Sequence, residues 1–277
     1  MNLNTVREVK QPRSADEITK WRPGYAWLAG GTWLFSTPQI ATDTLIDLRS
    51  LHWPSLQASD TGLDISATCT IAELYDFQAP AEWTAVSRFR LCARAFLASF
   101  KIWNAATVGG NICMSLPAGP MVTLATALEA RYTLLPRDAA PREVAAIDFV
   151  TGNHANVLEP GELLCNIHLP ARTLRKRFAS HRSSLTHLGR SAVFLIGTRS
   201  ADDDDLLLTI TAATPKPVQI RFDNAPSAEE MRHAIDAAIP ADGYFADVHG
   251  SPAYRRRLTY YYAEQIRAEL ASAERPR

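Results

Sequence analysis

Ala29-Gly30-Gly31-Thr32 and, further along the chain, Thr107-Val108-Gly109-Gly110-Asn111 are the stretches that decide the fold of this sequence. Each combines two glycines with a threonine. Glycine admits positive φ and lets a ligand approach the peptide plane, so successive N–H groups can converge on an anion. A single Gly-Gly pair is most often a simple turn. Two such pairs, one followed by an asparagine, predict a clamp for the two ends of a pyrophosphate.

Neither glycine pair matches the common nucleotide-binding fingerprints. The sequence contains no GxGxxG that opens a βαβ unit and no GxxxxGK[ST], which excludes the Rossmann and P-loop interpretations. No GxSxG elbow presents a serine nucleophile, so a hydrolase is not expected. The histidines form no HExxH or HxH pair, and no metal site is predicted.

The composition bounds the class of protein. The chain has 277 residues, of which 47% are apolar and 21% charged, and these values are typical of a globular protein with two ordinary domains. Its net charge is zero, so no field attracts nucleic acid or an anionic membrane. No apolar run is long enough for a membrane span and the first residues do not resemble a signal peptide, so a cytoplasmic location is predicted.

The four cysteines are widely separated. Cys69, Cys92, Cys113 and Cys165 include no CxxC pair, so local spacing predicts no iron–sulfur cluster or zinc ribbon in this chain. Each is expected to be a small buried or half-buried apolar residue. Cys113 follows Asn111 by two residues, close to the predicted ligand, where its thiol would either contact a cofactor or pack under the loop.

The order of five motifs carries a family resemblance. AGGT at 29–32 and TVGGN at 107–111 are followed by an amphipathic Leu/Ala helix at 122–128, LEPGELL at 158–164 and HLP at 168–170. This order resembles the FAD-binding medium subunit of molybdenum hydroxylases, the family of carbon monoxide dehydrogenase and xanthine dehydrogenase. The stretches at 212–217 and 247–256 resemble signatures of that family's C-terminal domain. The resemblance covers nearly the whole chain.

The resemblance implies an α+β fold. A PCMH-type (vanillyl-alcohol-oxidase-like) FAD-binding domain of two α/β lobes is expected at 1–172, and a smaller α+β domain of the CO dehydrogenase flavoprotein type at 173–277. FAD would bind non-covalently, since no His or Cys lies within 29–36. No catalytic side chain is required. The residues implied to bind the cofactor are Ala29, Gly30, Gly31, Thr32, Trp33, Leu34, Thr107, Gly109, Gly110, Asn111, Cys113, Leu158 and Glu162.

The implied function is electron transfer within an assembly. Molybdopterin and iron–sulfur clusters would reside only in a large and a small partner subunit, and the flavin would pass electrons to NAD or another acceptor. Trp33 and Pro120 depart from the pattern, because many relatives carry acidic residues there. Two alternatives stay open: a structural or assembly subunit that keeps the fold without a redox role, and a stand-alone FAD oxidoreductase.

Local patterns predict the main elements. Capping boxes start helices at Thr70 and Ser227, and Ser251-Pro252 starts a long helix. An acidic turn at 202–205 is expected to be a solvated hairpin tip. A single amphipathic helix is predicted over 83–100, with its aromatic residues in the core. Its apolar stripe consists of Val86, Phe89, Ala93, Phe96, Leu97 and Phe100.

Overall fold

A small parallel sheet opens the chain. The computed structural model describes residues 3–14, 17, 18, 20–96, 98–186, 189–200 and 205–272. Strands β1 (Glu8–Lys10), β2 (Tyr25–Leu28) and β3 (Thr44–Asp47) pair in the order β1-β3-β2. All four residues of β3 are buried, as expected for the central strand of a parallel sheet. The first glycine pair therefore lies directly after the C-terminal end of β2.

A five-stranded antiparallel sheet follows, in the order β4-β5-β10-β6-β7. A two-stranded hairpin, β8 with β9, precedes its central strand. The strands are β4 (Leu56–Ser59), β5 (Gly62–Ser66), β6 (Arg131–Leu135), β7 (Arg142–Ala145), β8 (Val150–Gly152), β9 (Ala155–Asn156) and β10 (Leu163–Pro170).

Seven short helices accompany these sheets. The predicted capping box at Thr70 is present, because its hydroxyl accepts from the Glu73 N–H while the Glu73 carboxylate accepts from the Thr70 N–H. The helices are α1 (Ile71–Asp76), α2 (Phe89–Arg94), α3 (Phe100–Trp103), α4 (Val108–Cys113), α5 (Pro120–Ala127), α6 (Ala146–Phe149) and α7 (Ala171–Leu174).

The single helix predicted over 83–100 is wrong. The segment consists of a 3₁₀ turn at Thr84–Arg88, then α2, a break and α3. The last turn of α2 tightens: the Ala95 N–H is shared between the Leu91 and Cys92 carbonyls, and the Phe96 N–H donates to the Ala93 carbonyl, three residues back. Phe89 is buried as predicted, but Phe100 is 72% exposed. Leu97 lies outside the described residues.

Helix α5 is buried on every side. All eight of its residues are buried, so it is not the amphipathic helix that the pattern at 122–128 suggested. A helix that is apolar all round is a core helix. One side of α5 contacts α2, α4 and α6, and the other side contacts strands of the C-terminal sheet at Ser191–Arg199 and Leu206–Thr211. The Thr123 hydroxyl lies 2.7 Å from the Thr211 hydroxyl across this contact.

The C-terminal region is a four-stranded antiparallel sheet with two helices. Strands β11 (Arg177–Ser184), β12 (Ser191–Arg199), β13 (Leu206–Thr211) and β14 (Val218–Phe222) pair in chain order. Helices α8 (Ala228–Ala238) and α9 (Pro252–Ser272) follow, and α9 packs on β11 and β12. The α+β organisation agrees with the prediction, whereas the boundary at 172/173 stays a prediction.

Two sequence-based details of this region need correction. Helical spacing from Pro252 predicts an apolar stripe of Tyr254, Leu258, Tyr262, Ile266 and Leu270. The last two are buried as predicted, whereas the first three are half-buried, because the first turns of α9 bury Arg255, Thr259 and Ala263 instead. Asp202, Asp203 and Asp204 of the acidic turn lie outside the described residues. The remaining aspartate, Asp205, is not a solvated tip: its carboxylate lies 2.9 Å from the Lys176 ammonium and 3.0 Å from the Arg221 guanidinium.

A buried arginine joins α9 to the sheet. The Arg255 side chain is 1% exposed, and its guanidinium donates to the Ala192 carbonyl at 2.6 Å and to the Ala212 carbonyl. It also donates to the Gly250 carbonyl at 3.2 Å and pairs with the Asp247 carboxylate. Because four acceptors surround one guanidinium, this residue fixes the strand ends, the preceding loop and the helix together.

The described part of the chain contains no helix long and apolar enough to cross a membrane.

Candidate cofactor-binding site

One cleft of about 670 Å³ gathers the predicted site residues. Its volume lies within the range of small-molecule and cofactor pockets. All thirteen residues that the sequence implied line this cleft, although they come from three separate segments of the chain. These residues are Ala29, Gly30, Gly31, Thr32, Trp33, Leu34, Thr107, Gly109, Gly110, Asn111, Cys113, Leu158 and Glu162. Their role in binding stays a prediction.

The loop after β2 offers a row of free donors. Gly31 has φ +69°, and the chain turns so that the Phe35 N–H donates to the Gly31 carbonyl and the Ser36 N–H to the Trp33 carbonyl, both at 2.8 Å. The five N–H groups of residues 30–34, here called the N–H cradle, donate to no acceptor among the described residues. Consecutive unpaired N–H groups in a half-buried turn form an anion-binding site.

Gly30 is required by close packing. A Cβ atom at this position would lie 1.8 Å from the Ala105 carbonyl oxygen, far inside van der Waals contact. The first glycine pair therefore packs against the backbone of Ala105 and Ala106, which directly precede the second glycine-containing segment. Only glycine permits this approach, which fixes the N–H cradle against the opposite wall of the cleft.

The second glycine pair is part of a helix, not an open loop. Thr107 is the N-cap of α4, and its hydroxyl accepts from the Gly110 N–H at 3.0 Å. The N–H of Val108 donates to the Cys69 carbonyl, that of Gly109 to the Ala67 carbonyl and that of Asn111 to the Thr107 carbonyl. Each N–H group of residues 108–111 thus has a protein acceptor, in contrast to those of residues 30–34, and the role of this segment in holding the cofactor stays a prediction.

The second segment contributes in another way. A Cβ atom at Gly109 would lie 2.5 Å from that of Ala67, so this glycine serves the packing of α4 against β5. The Asn111 side-chain oxygen accepts from the Met121 N–H at 3.0 Å, at the start of α5. Its amide nitrogen has no acceptor among the described residues, which leaves two N–H donors in the cleft wall.

Glu162 is held in an ion pair. The Arg142 guanidinium donates to both carboxylate oxygens, at 2.6 and 2.7 Å, and the Glu159 N–H donates to one of them at 3.0 Å. Burial alone would raise the pKa of the Glu162 carboxyl, but the hydrogen bonds and charge of Arg142 outweigh it and lower the pKa. Glu162 therefore carries its charge at neutral pH and directs it at Arg142.

Replacing Glu162 by glutamine is expected to destabilise the protein by about 1–2 kcal/mol at pH 7, because the Arg142 guanidinium loses a charged acceptor. Since the folded-state pKa is lowered, this contribution is complete above the unfolded value of about 4.3 and is lost as the pH falls through the folded value. Urea unfolding from pH 7 down to about pH 2.5, below the unfolded value, measures it. Glu143→Gln, which removes an exposed pair with Arg131, is the control and should change little. An equal effect of both variants would contradict the prediction.

Cys113 behaves as an inert thiol. It lines the cleft and packs against the core, and burial raises the pKa of its thiol to about 12. A thiol of this kind stays protonated at neutral pH and is a poor nucleophile. All four cysteines are free, and the described residues contain no group of three or more His, Cys, Asp or Glu that could hold a metal ion.

The two departures from the family pattern change the charge of the cleft. Trp33 is 42% exposed and its ring lies 6.0 Å from that of His154, while Pro120 is the first residue of α5. Because neither position carries a carboxylate, Glu162 is the one acidic side chain among the described lining residues. Its charge is compensated by Arg142. The lining consequently presents no uncompensated negative charge to an anionic ligand.

Comparison with known proteins identifies the family. Residues 5–172 match the model of the FAD binding domain in molybdopterin dehydrogenase. The chain belongs to this family. Among curated proteins, xanthine dehydrogenase 2 of Arabidopsis thaliana is 25% identical over 122 residues, 42% of this chain and 9% of the relative. Caffeine dehydrogenase subunit beta of Pseudomonas sp. (strain CBB1) is 33% identical over 78 residues, 28% of this chain and 26% of the relative. The matches thus span a small part of these relatives.

Solved structures share the fold over nearly the whole chain. Quinoline 2-oxidoreductase from Pseudomonas putida 86 has 19% identity and a TM-score of 0.78, with 97% of both chains covered. A carbon monoxide dehydrogenase from Hydrogenophaga pseudoflava has 20% identity and a TM-score of 0.78, with 97% of this chain and 98% of that chain covered. Together with the family match, these similarities confirm the predicted family and fold, and FAD as the cofactor of the domain.

The sequence did not single out Arg190. This arginine lies at the end of the connection between β11 and β12, yet it lines the same cleft as the two glycine pairs. An isolated arginine beside a glycine carries no specific signal in the sequence, because such residues are common in exposed turns.

Proposed function

We propose that the chain binds FAD non-covalently in this cleft and passes electrons from an iron–sulfur partner subunit to a final acceptor. The observation that supports this most directly is the N–H cradle: among the residues that the structure describes, its five donors have no acceptor and the cleft lining has no uncompensated carboxylate. A pyrophosphate is the anion that these donors suit best. FAD supplies the redox chemistry when it is bound, and the protein supplies binding and orientation.

Different residues of this chain would bind different parts of FAD. The N–H cradle would hold the pyrophosphate, and the Asn111 amide would donate from the facing wall. Apolar side chains of Phe96, Ile102 and Leu116 line the same cleft and would exclude water from the ring systems of the cofactor. No side chain of the lining is needed as an acid or base, since Glu162 is committed to Arg142.

Electrons must then reach the cleft from outside the chain. The four cysteines are scattered and free, and burial raises the pKa of each thiol, so they do not form a cluster site. We infer a small iron–sulfur subunit as electron donor and a large molybdopterin subunit as the site of substrate oxidation. The acceptor would be NAD or another oxidant, and the assembly would be cytoplasmic.

The test is to purify the full chain alone and titrate it with FAD. We expect a flavin absorbance band that is lost on denaturation and gel filtration, and no oxidation of organic substrates by the isolated chain. Co-purification from the native host should recover an iron–sulfur protein and a molybdopterin protein. Failure to bind FAD would favour the structural or assembly role. A lone chain that oxidises an organic substrate without iron or molybdenum would favour a stand-alone oxidoreductase.

A further inference from the structure

Arg190 is an exposed cation among the residues that line the cleft. Its guanidinium donates to no acceptor and pairs with no carboxylate among the described residues, although it lines the cleft. The other charged lining residue, Glu162, is neutralised by Arg142. The cleft therefore carries one uncompensated charge among its described lining residues, and that charge is positive. A cation beside a cleft that also offers free N–H donors favours an anionic ligand.

The loop that carries Arg190 is fastened on both sides of it. The Arg182 guanidinium donates to the Ser191 hydroxyl at 2.6 Å and also to the Gly189 carbonyl. The Gly189 N–H donates to the Thr186 carbonyl at 2.8 Å. Because the residues before and after Arg190 are both bound by one half-buried arginine, the backbone at Arg190 is held in place, and this exposed residue lines the cleft.

The C-terminal sheet is itself tied to the cleft wall. The Ala212 N–H donates to the Pro117 carbonyl at 2.7 Å, and Pro117 lies between Leu116 and Ala118, which both line the cleft. Arg255 then connects Ala212 to Ala192, two residues beyond Arg190. Hydrogen bonds thus hold the backbone on both sides of Arg190 at the start of β12, as a positioned binding residue requires.

We propose that Arg190 is a cofactor-binding residue whose guanidinium pairs with an anionic group of FAD, and that Arg182 is its positioning residue. This inference rests on the proposed function. Two groups of the same cofactor share the required chemistry: the pyrophosphate, and the pyrimidine edge of the isoalloxazine, which becomes more negative on reduction. In both cases the C-terminal region contributes directly to the site. The planar guanidinium of Arg190 can donate to two acceptor oxygens at once, which the ammonium of a lysine does less well.

The test compares Arg190→Ala and Arg190→Lys with Arg257→Ala, which removes an exposed charge of α9 remote from the cleft lining. Each full-length variant is titrated with FAD and with ADP, which carries the pyrophosphate without the isoalloxazine, and the midpoint potential of bound FAD is measured. If Arg190 pairs with the pyrophosphate, Arg190→Ala should weaken FAD and ADP binding about tenfold, with a smaller salt dependence. If it pairs with the isoalloxazine, ADP binding should be unchanged and the midpoint potential should fall.

Arg190→Lys should show an intermediate effect in either case. Arg182→Met should weaken binding in the wild-type background but add nothing to Arg190→Ala, because a positioning residue acts only through its partner. Thermal unfolding verifies that the variants are folded. If wild type binds FAD while Arg190→Ala equals Arg257→Ala in affinity and potential, the inference is wrong and the proposed function stands. If wild type binds neither ligand, the proposed function fails together with the inference.

Discussion

Replacing Gly30 by alanine is expected to reduce the affinity for FAD by at least about a hundredfold, because the loss of two hydrogen bonds to a charged group suffices for a change of this size. The added Cβ atom would lie 1.8 Å from the Ala105 carbonyl oxygen, and that contact is with backbone. The loop must therefore move away from the cleft wall, and its N–H cradle moves with it. Isothermal titration of apoprotein with FAD measures the effect.

The matched control for Gly30→Ala is Gly152→Ala. Gly152 lies in the hairpin strand β8, and an added Cβ atom there would meet only the Cβ atom of Ala155, at 3.8 Å. This variant should bind FAD as wild type does. If Gly30→Ala remains folded by circular dichroism and retains wild-type affinity, residues 30–34 do not hold the cofactor.

Replacing Arg255 by methionine is expected to destabilise the protein by about 3–5 kcal/mol, the usual effect of breaking a buried charged pair. The substitution would leave the carbonyls of Ala192 and Ala212 without their donor, and the Asp247 carboxylate without its partner. For a chain of this size the midpoint of thermal unfolding should fall by on the order of 10 °C. Differential scanning calorimetry measures the change.

Arg257→Met is the control for Arg255→Met, because Arg257 is exposed on the same helix and the substitution is chemically identical. Its effect on the unfolding midpoint should be within about 0.5 kcal/mol of zero. A small effect of Arg255→Met would mean that water or a rearranged loop replaces the lost donors. In that case α9 would not be fastened to the sheet through this residue.

The sequence was most informative where one local cause determines the structure. The capping boxes at Thr70 and Ser227 mark helix starts because hydroxyl and carboxylate side chains satisfy the first N–H groups reciprocally. The two glycine pairs pointed to one cleft because the family order fixes which segments meet.

Other features depend on contacts that no local pattern contains. α4 uses N–H groups of its first turn for the carbonyls of Ala67 and Cys69, and Gly109 permits the close packing of the helix on Ala67. α5 looked amphipathic because the C-terminal sheet that covers its second face lies some seventy to ninety residues further along the chain. Arg190 was missed for the same reason, since only the paired strands β11 and β12 bring it to the cleft.

The dependence of the cleft on distant segments also bears on biosynthesis. As the nascent chain emerges, residues 30–34 appear well before Ala105, against which Gly30 is seated, and Arg190 appears later still. Domains generally fold as units once their segments are available. We therefore expect flavin to be incorporated after translation of β12 rather than co-translationally at the first glycine pair, so that truncated chains ending before Arg190 should be released without retained flavin.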